Sequence, residues 1–244
     1  MATEKAYKIL ATQEGISNNN AKSMIDRGLV YVGNKKVMIA RGDIDVKTIF
    51  RVIKVERAKP IFENDDIVVI DKPAYVNSDE IERMYKPAVL LHRLDRETSG
   101  VLMLVKNEEF RQRAITEFRK DNVYKEYIAW VEGIISEPIE VDKAILTQKK
   151  NNKAYSNVSG KGKPARTEFF PDIVSANKTK VNCIIHQGRT HQIRTHLRYI
   201  DHPIIGDEQY GGRRAKRVML HAYKVRLLGM EFVAPEPKVF VNFE

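Results

Sequence analysis

The chain has 244 residues, 43% of them hydrophobic and 30% charged, enough to bury one large core with or without a small appendage. Its formal net charge of +10 points to a polyanionic partner, nucleic acid first, and less to an anionic membrane, since no basic amphipathic helix with an aromatic face is visible. Cys183 is the single cysteine, which excludes an intrachain disulfide; no apolar run is long enough to span a bilayer, and Met1-Ala2-Thr3-Glu4-Lys5 begins no signal-peptide core, so a cytoplasmic protein is expected.

Residues 1–55 read as a small module of their own. Ala6 to Gln13 is helix-like with Gly15 as its stop, and Asn18-Asn19-Asn20 offers a cap for a second helix, Ala21 to Arg27, closed by Gly28. Leu29-Val30-Tyr31-Val32 alternates into a strand, Gly33-Asn34 turns it, Lys36-Val37 begins its return, and Arg41-Gly42-Asp43 is a further turn. Helix, helix and tight hairpin resemble the alpha-L RNA-binding module found in a ribosomal small-subunit protein and in many RNA-modifying enzymes. That family usually has Ser-Arg at the start of its second helix; here Ser17 is followed by Asn18, so one phosphate contact is missing. The alternative is a structural extension without RNA contact.

Residues 56–244 read as a second, larger domain. A strand-rich link, Thr48 to Val55, leads through Pro60 to a buried strand, Ile67 to Ile70, ended by Asp71-Lys72-Pro73. Residues 74–88 read as a loop. Val101-Leu102-Met103-Leu104-Val105, bounded by Gly100 and Lys106-Asn107, reads as a core strand. Glu108 to Lys120 has helical spacing, with Phe110, Ala114, Ile115 and Phe118 near one face. Strands are predicted over Tyr124–Val131, Val181–Ile185 (with Cys183 an inert core residue) and Met219–Val225, and a short helix over Thr190–Tyr199. Residues 147–164 are polar, basic and loop-like. Gly160-Lys161-Gly162-Lys163 lacks the spacing of a phosphate loop, so the stretch is read as a basic hairpin tip on an RNA backbone or as a solvated loop. The fold class expected is α+β: a mixed, mainly antiparallel sheet flanked by helices, with a small N-terminal α/β module.

The most informative stretch is His92-Arg93-Leu94-Asp95-Arg96-Glu97-Thr98-Ser99-Gly100. It puts Asp95 in a polar loop at the mouth of the core strand. Flanking guanidiniums favour an ionised carboxylate, which is a nucleophile, a base, or a partner in a structural ion pair.

This stretch resembles the catalytic signature of the RluA-type RNA pseudouridine synthases. Two further stretches match in order: Lys125-Glu126-Tyr127-Ile128-Ala129-Trp130-Val131-Glu132-Gly133, and Gly188-Arg189-Thr190-His191-Gln192-Ile193-Arg194-Thr195-His196-Leu197 followed by His202-Pro203-Ile204-Ile205-Gly206-Asp207. Ala165-Arg166-Thr167-Glu168-Phe169 and Asp71-Lys72-Pro73 also fit, so the resemblance spans about residues 62–230.

The resemblance implies an isomerase that converts specific uridines of RNA to pseudouridine with no metal and no cofactor. It assigns Asp95 as the essential carboxylate, as nucleophile or base, with Arg194 against it and Tyr127 stacked on the uracil. Arg93 would hold the flipped nucleotide or fill the space it leaves, while His92 braces the loop. Arg189 and Thr190, behind Gly188, are candidates for phosphate contact at a helix start. Arg213, Arg214, Lys216 and Arg217 form a basic cluster, read as a phosphate-binding surface or a solvated turn. No histidine spacing fits a zinc site. Ribosomal RNA, of the large subunit, is favoured over transfer RNA, and a monomer is expected. The rival readings are a non-catalytic RNA-binding or ribosome-assembly factor, and a glycosidase-type hydrolase using Asp95 and Glu97.

Overall fold

The structure is a computed structural model that describes residues 2–150, 153–241 and 243. The chain divides into two units, Met1–Glu56 and Arg57–Glu244.

The first unit holds β1 (Thr3–Lys5), α1 (Ala6–Glu14), α2 (Asn18–Asp26), β2 (Val30–Val32), β3 (Lys35–Lys36), β4 (Asp43–Asp45) and β5 (Arg51–Val52). Gly15, at φ 64°, ends α1 in the left-handed region that suits glycine. The cap of α2 is Ser17, not the asparagine run: its hydroxyl accepts from the Asn20 backbone N–H, and the three asparagines form the first turn. Leu10, Ala21, Ile25, Val30 and Phe50 make the unit's own small core. The predicted link over residues 48–55 forms strand only at Arg51–Val52, which pairs with β2.

The second unit runs β6 (Lys59–Glu63), β7 (Ile67–Lys72), α3 (Ser78–Met84), β8 (Val89–Leu90), β9 (Ser99–Val105), α4 (Glu108–Arg119), β10 (Tyr124–Glu132), β11 (Ile139–Asp142), β12 (Ile145–Lys150), β13 (Lys153–Val158), β14 (Arg166–Ser175), β15 (Lys178–Ile185), α5 (Gln192–Tyr199), a 3-10 turn (Glu208–Tyr210), β16 (Leu220–Leu227), β17 (Met230–Val233) and α6 (Lys238–Val241). A ten-stranded sheet follows the order β11-β14-β15-β10-β16-β9-β7-β6, with β17 on β16 and β8 on β9. Its pairs are antiparallel except β9 with β16, so the fold is α+β with a mixed, mainly antiparallel sheet.

Every residue of β9 is buried, which is why it reads as an uninterrupted apolar run and not as an alternation. Helix α4 covers Val101, Met103 and Val105 with Phe110 and Ala114. Its start is fixed by Asn107, whose side chain accepts from Phe110 N–H, and by Glu108 and Glu109 in the first turn. Truncating Phe110 to alanine removes packing worth about 3–5 kcal/mol. On α5, Ile193 and Leu197 pack with Trp130, Phe169 and Val181. Cys183 is buried in that same cluster.

Two stretches expected to be loops are regular. Residues 74–88 contain α3, which buries only Ser78 and Ile81 and so lacks an apolar stripe; Glu80 accepts from the Asn77 backbone N–H at 3.3 Å in a capping box. Residues 147–164 largely form the β12–β13 hairpin, a two-stranded ribbon held partly by a Thr147–Ser156 hydroxyl pair at 2.8 Å. Its side chains are mostly polar, so hydrophobic alternation could not announce it. The tip predicted to touch RNA includes Asn151 and Asn152, which lie outside the described residues. The predicted helix over Thr190–Tyr199 begins at Gln192 because His191 adopts a left-handed backbone, φ 54°. Among the described residues no helix is long and apolar enough to cross a membrane.

Candidate active site

Asp95 lies in the loop between β8 and β9, and four contacts hold that loop. The Ser78 hydroxyl accepts from Leu94 N–H at 3.0 Å and donates to Leu94 O at 3.1 Å. Tyr75 N–H donates to Arg96 O at 2.6 Å, and Thr98 N–H to Asp95 O at 3.1 Å. Beneath them the fully buried Lys72 donates to Pro73 O, Val76 O and, at 3.4 Å, Arg96 O. Burial, then the charge of Arg217, pushes the Lys72 ammonium down to about 7, against the pull of Glu97 and Asp95. His92 braces the loop from the other side: its Nε2 accepts from Met103 N–H at 3.2 Å, and burial pushes its ring down to about 4, so it stays neutral.

The arginines beside Asp95 in sequence are drawn to other carboxylates. Arg93 makes a two-pronged pair with Asp79 at 2.5 and 2.9 Å, and Arg96 pairs with Glu97 at 2.8 Å. A third guanidinium, that of Arg194 on α5, meets Asp95, with Nη1 3.3 Å from Oδ2. Its remaining nitrogens are held by Asp207 at 2.6 and 2.8 Å and by Gln209 at 3.4 Å. Burial works against the Arg194 charge, but the hydrogen bonds and charge of Asp207, with Asp95 and Glu97 behind, outweigh it and hold its pKa above the ordinary value. Glu97 is similarly held ionised: burial opposes its charge and Arg96 and Arg194 overcome it. A charged Glu97 is not the proton donor that a glycosidase acid must be.

Tyr127 sits on β10, in unbroken register with β15, at the point where the pairing with β16 skips Tyr223. Burial, then the charge of Asp95, raises its phenol pKa, so the hydroxyl keeps its proton. Asp95, Tyr127, His191 and Arg194 share a cleft whose apolar wall includes Leu94, Ile185 and Leu220. The arrangement offers one carboxylate with a fixed cation, a protonated phenol and apolar surface for a flat ring.

The other residues singled out from sequence fall around this cleft. Arg93 and Arg189 line it. Arg189 Nε donates to Pro164 O, and Thr190 is exposed with its carbonyl accepting from Ser156 Oγ. Arg213 and Arg214 are exposed, the first beside Glu132 and the second beside Glu208. Lys216 is exposed, and its backbone carbonyl accepts from Tyr75 Oη. Arg217 turns inward, to Ser99 Oγ at 2.7 Å and Leu220 O at 3.1 Å, and so differs from its neighbours in the basic cluster. Sequence reading gave no role to Lys72, Ser78, His191, Asp207 or Tyr210. For Asp207 a signal existed: a carboxylate directly after Gly206, whose φ of 87° and approach to the Arg217 carbonyl leave no space for a side chain.

Comparison with known proteins points to one family. A family profile described as RNA pseudouridylate synthase matches residues 66–199. A protein described as an uncharacterized RNA pseudouridine synthase, from Helicobacter pylori (strain ATCC 700392 / 26695), is 49% identical over 240 residues, covering 97% of this chain and 99% of that protein. Ribosomal large subunit pseudouridine synthase D of Haemophilus influenzae is 30% identical over 222 residues, 75% of this chain and 68% of that protein. Among solved structures, human RNA pseudouridylate synthase domain containing 1 superposes with a TM-score of 0.66 at 26% identity, covering 75% of this chain and 84% of that one.

Proposed function

The chain belongs to the RNA pseudouridylate synthase family, isomerases that act on RNA, and from that premise we propose that Asp95 is its essential carboxylate and that its target is a uridine of large-subunit ribosomal RNA. Pseudouridine formation breaks the bond from ribose C1′ to uracil N1, rotates the base and rejoins it through C5, with no redox change and no net hydrolysis. The reaction needs a negative oxygen near the sugar–base junction and a pocket that retains the detached ring. The observation that carries the reading is the Arg194–Asp95 contact at 3.3 Å in the cleft that Tyr127 also lines. Arg194 orients the carboxylate. Leu220 and Ile185 give the uracil an apolar wall, and Tyr127 gives it an aromatic neighbour. A uridine in a helix reaches this cleft only when unstacked, at about a few kcal/mol, and Arg93 at the rim is the residue we assign to that extruded nucleotide.

The choice of RNA rests on relatives: several are named ribosomal large subunit pseudouridine synthases, of types C and D. Such a substrate implies work in the cytoplasm. We assign Arg189, Thr190, Arg213, Arg214 and Lys216 to phosphate contact on the strength of their position at the cleft or their exposure. The unit Met1–Glu56 is assigned as an RNA-binding module, on its pair of helices and its basic hairpin. The test is base-resolution pseudouridine mapping of ribosomal RNA in cells whose only copy is Asp95→Asn. One or more large-subunit sites should revert to uridine while RNA binding by the purified variant persists. Full modification by Asp95→Asn would overturn the assignment, and free uracil among the products of the native enzyme would mean hydrolysis.

A further inference from the structure

Resting on the reading of Asp95 as the reacting carboxylate, we propose that His191 is a positioning residue for it, locked by Tyr210 into the tautomer that carries its proton on Nε2. Arg194 meets Oδ2 of Asp95; His191 Nε2 faces the other oxygen, 3.8 Å from Oδ1. The backbone of His191 is left-handed, φ 54°, a conformation that is unfavourable for most residues and recurs where function demands it.

The tautomer follows from the partners on the two sides of the ring. Nε2 faces a carboxylate oxygen, Oδ1 of Asp95, which accepts, so the hydrogen belongs on that nitrogen. Nδ1 then accepts from Tyr210 Oη, 2.8 Å away, and a lone pair of that oxygen takes the Ser156 N–H at 2.9 Å. Burial favours that neutral ring; Asp95, Glu97 and Asp207 pull towards protonation and Arg194 pulls against it, with a net lowering of the pKa. Tyr210 is itself buried. It meets His191 edge-on, at 90° and 5.6 Å between centroids, and it lies under the Arg194 guanidinium at 4.8 Å. One phenol thus orients both groups that face the carboxylate.

A neutral donor has a specific use here. A second cation on Oδ1 would weaken Asp95 as nucleophile or base, whereas a neutral N–H aims it without that loss. The 3.8 Å separation exceeds a hydrogen bond and closes when the substrate fills the cleft, as catalytic contacts often do.

Selective ¹⁵N labelling of histidine tests the lock without any assay of activity: His191 should be the Nε2–H tautomer in the native protein and a mixture in Tyr210→Phe. Single-turnover kinetics test the role. In His191→Asn, which tolerates the left-handed backbone and replaces only the Nδ1 side, the rate should fall between about ten- and a hundred-fold with RNA affinity unchanged. His191→Gln, whose amide reaches the Nε2 position, should recover part of the rate. An Nδ1–H tautomer in the native protein, or an undiminished rate in a folded His191→Asn, would overturn the proposal. An active Asp95→Asn would instead remove the reading on which it rests.

Discussion

Asp207 grips Arg194 with both carboxylate oxygens, at 2.6 and 2.8 Å, in a place where the two side chains are 1% and 3% exposed. The grip leaves Nη1 as the nitrogen directed to Asp95. Removing one partner of a buried pair strands the other charge. Asp207→Ala should therefore lower stability by about 3–5 kcal/mol. Asp207→Asn keeps the shape and one acceptor, so it should unfold later than Asp207→Ala yet still isomerise slowly, because Arg194 can swing from Asp95. Urea unfolding and single-turnover rates on both variants check this. A native rate in Asp207→Asn would show that Arg194 needs no such anchor.

What the sequence could disclose depended on how each feature was built. Strand β9 and helix α4 declared themselves through burial, one on both faces and one along a stripe, and a linear pattern records that directly. Asp95, Tyr127 and Arg194 stood in motifs, and the structure brings them to one cleft although 99 residues separate the first from the last. Helix α3 did not show, because two buried residues make no period; its capping signal, Asn77-x-x-Glu80, was the one available clue. The hold of Asp207 on Arg194, and of Tyr210 on His191, arises from chain folding after α5. No local pattern encodes which carboxylate a buried arginine will meet. The same holds for Arg93 and Arg96, which sequence proximity tied to Asp95 and the structure draws to Asp79 and Glu97.

Gly100 is a second point where the backbone dictates the residue. It has φ 111°, and a Cβ there would lie 2.1 Å from the Ala222 carbonyl oxygen across the parallel pairing of β9 and β16. Gly100→Ala must part those strands or deform the loop that carries Asp95, five residues earlier. We expect a loss of roughly 3 kcal/mol or more, well above that of an ordinary surface change. Thermal unfolding checks it, and a melting temperature equal to that of the native protein would mean that the pairing yields easily.

The basic segment divides into two groups by its contacts. Arg213, Arg214 and Lys216 are exposed, while Arg217 serves Ser99 and Leu220 inside the protein. Replacing the first three with glutamine should flatten the dependence of log affinity on log salt by about 0.7–0.9 for each phosphate that is no longer neutralised, with stability unchanged. Arg217→Gln should do the reverse, weakening the fold with little effect on the slope. Fluorescence anisotropy over a salt series separates the two, and an unchanged slope in the triple variant would remove those residues from the RNA surface.

His221, beside that same inward arginine, ties stability to pH. Its ring is fully buried, with Nδ1 2.8 Å from Ser99 Oγ. Nε2 faces the Ala234 carbonyl at 3.4 Å, which only accepts, so in the neutral ring Nδ1 takes the hydroxyl proton, while Arg217 donates to the hydroxyl oxygen at 2.7 Å. Burial first, and the Arg217 charge next, push its pKa down to about 3, against the Ala234 carbonyl. The unfolded chain takes up this proton below about pH 6.5 and the folded one does not until about pH 3, so unfolding becomes easier as pH falls through that window. Each pH unit across the window costs on the order of 1.4 kcal/mol, so the whole effect reaches up to about 5 kcal/mol. Carboxylates titrate over the same range, so the informative quantity is the difference between the native protein and His221→Gln. At pH 7 the variant should be the less stable, for want of the Ser99 contact. That gap should narrow steadily as the solution is acidified, because the variant has no buried imidazole to protonate. A gap that stays constant from pH 7 to pH 4 would mean that the folded state accepts the proton as readily as the unfolded one, and that Arg217 does not repel it.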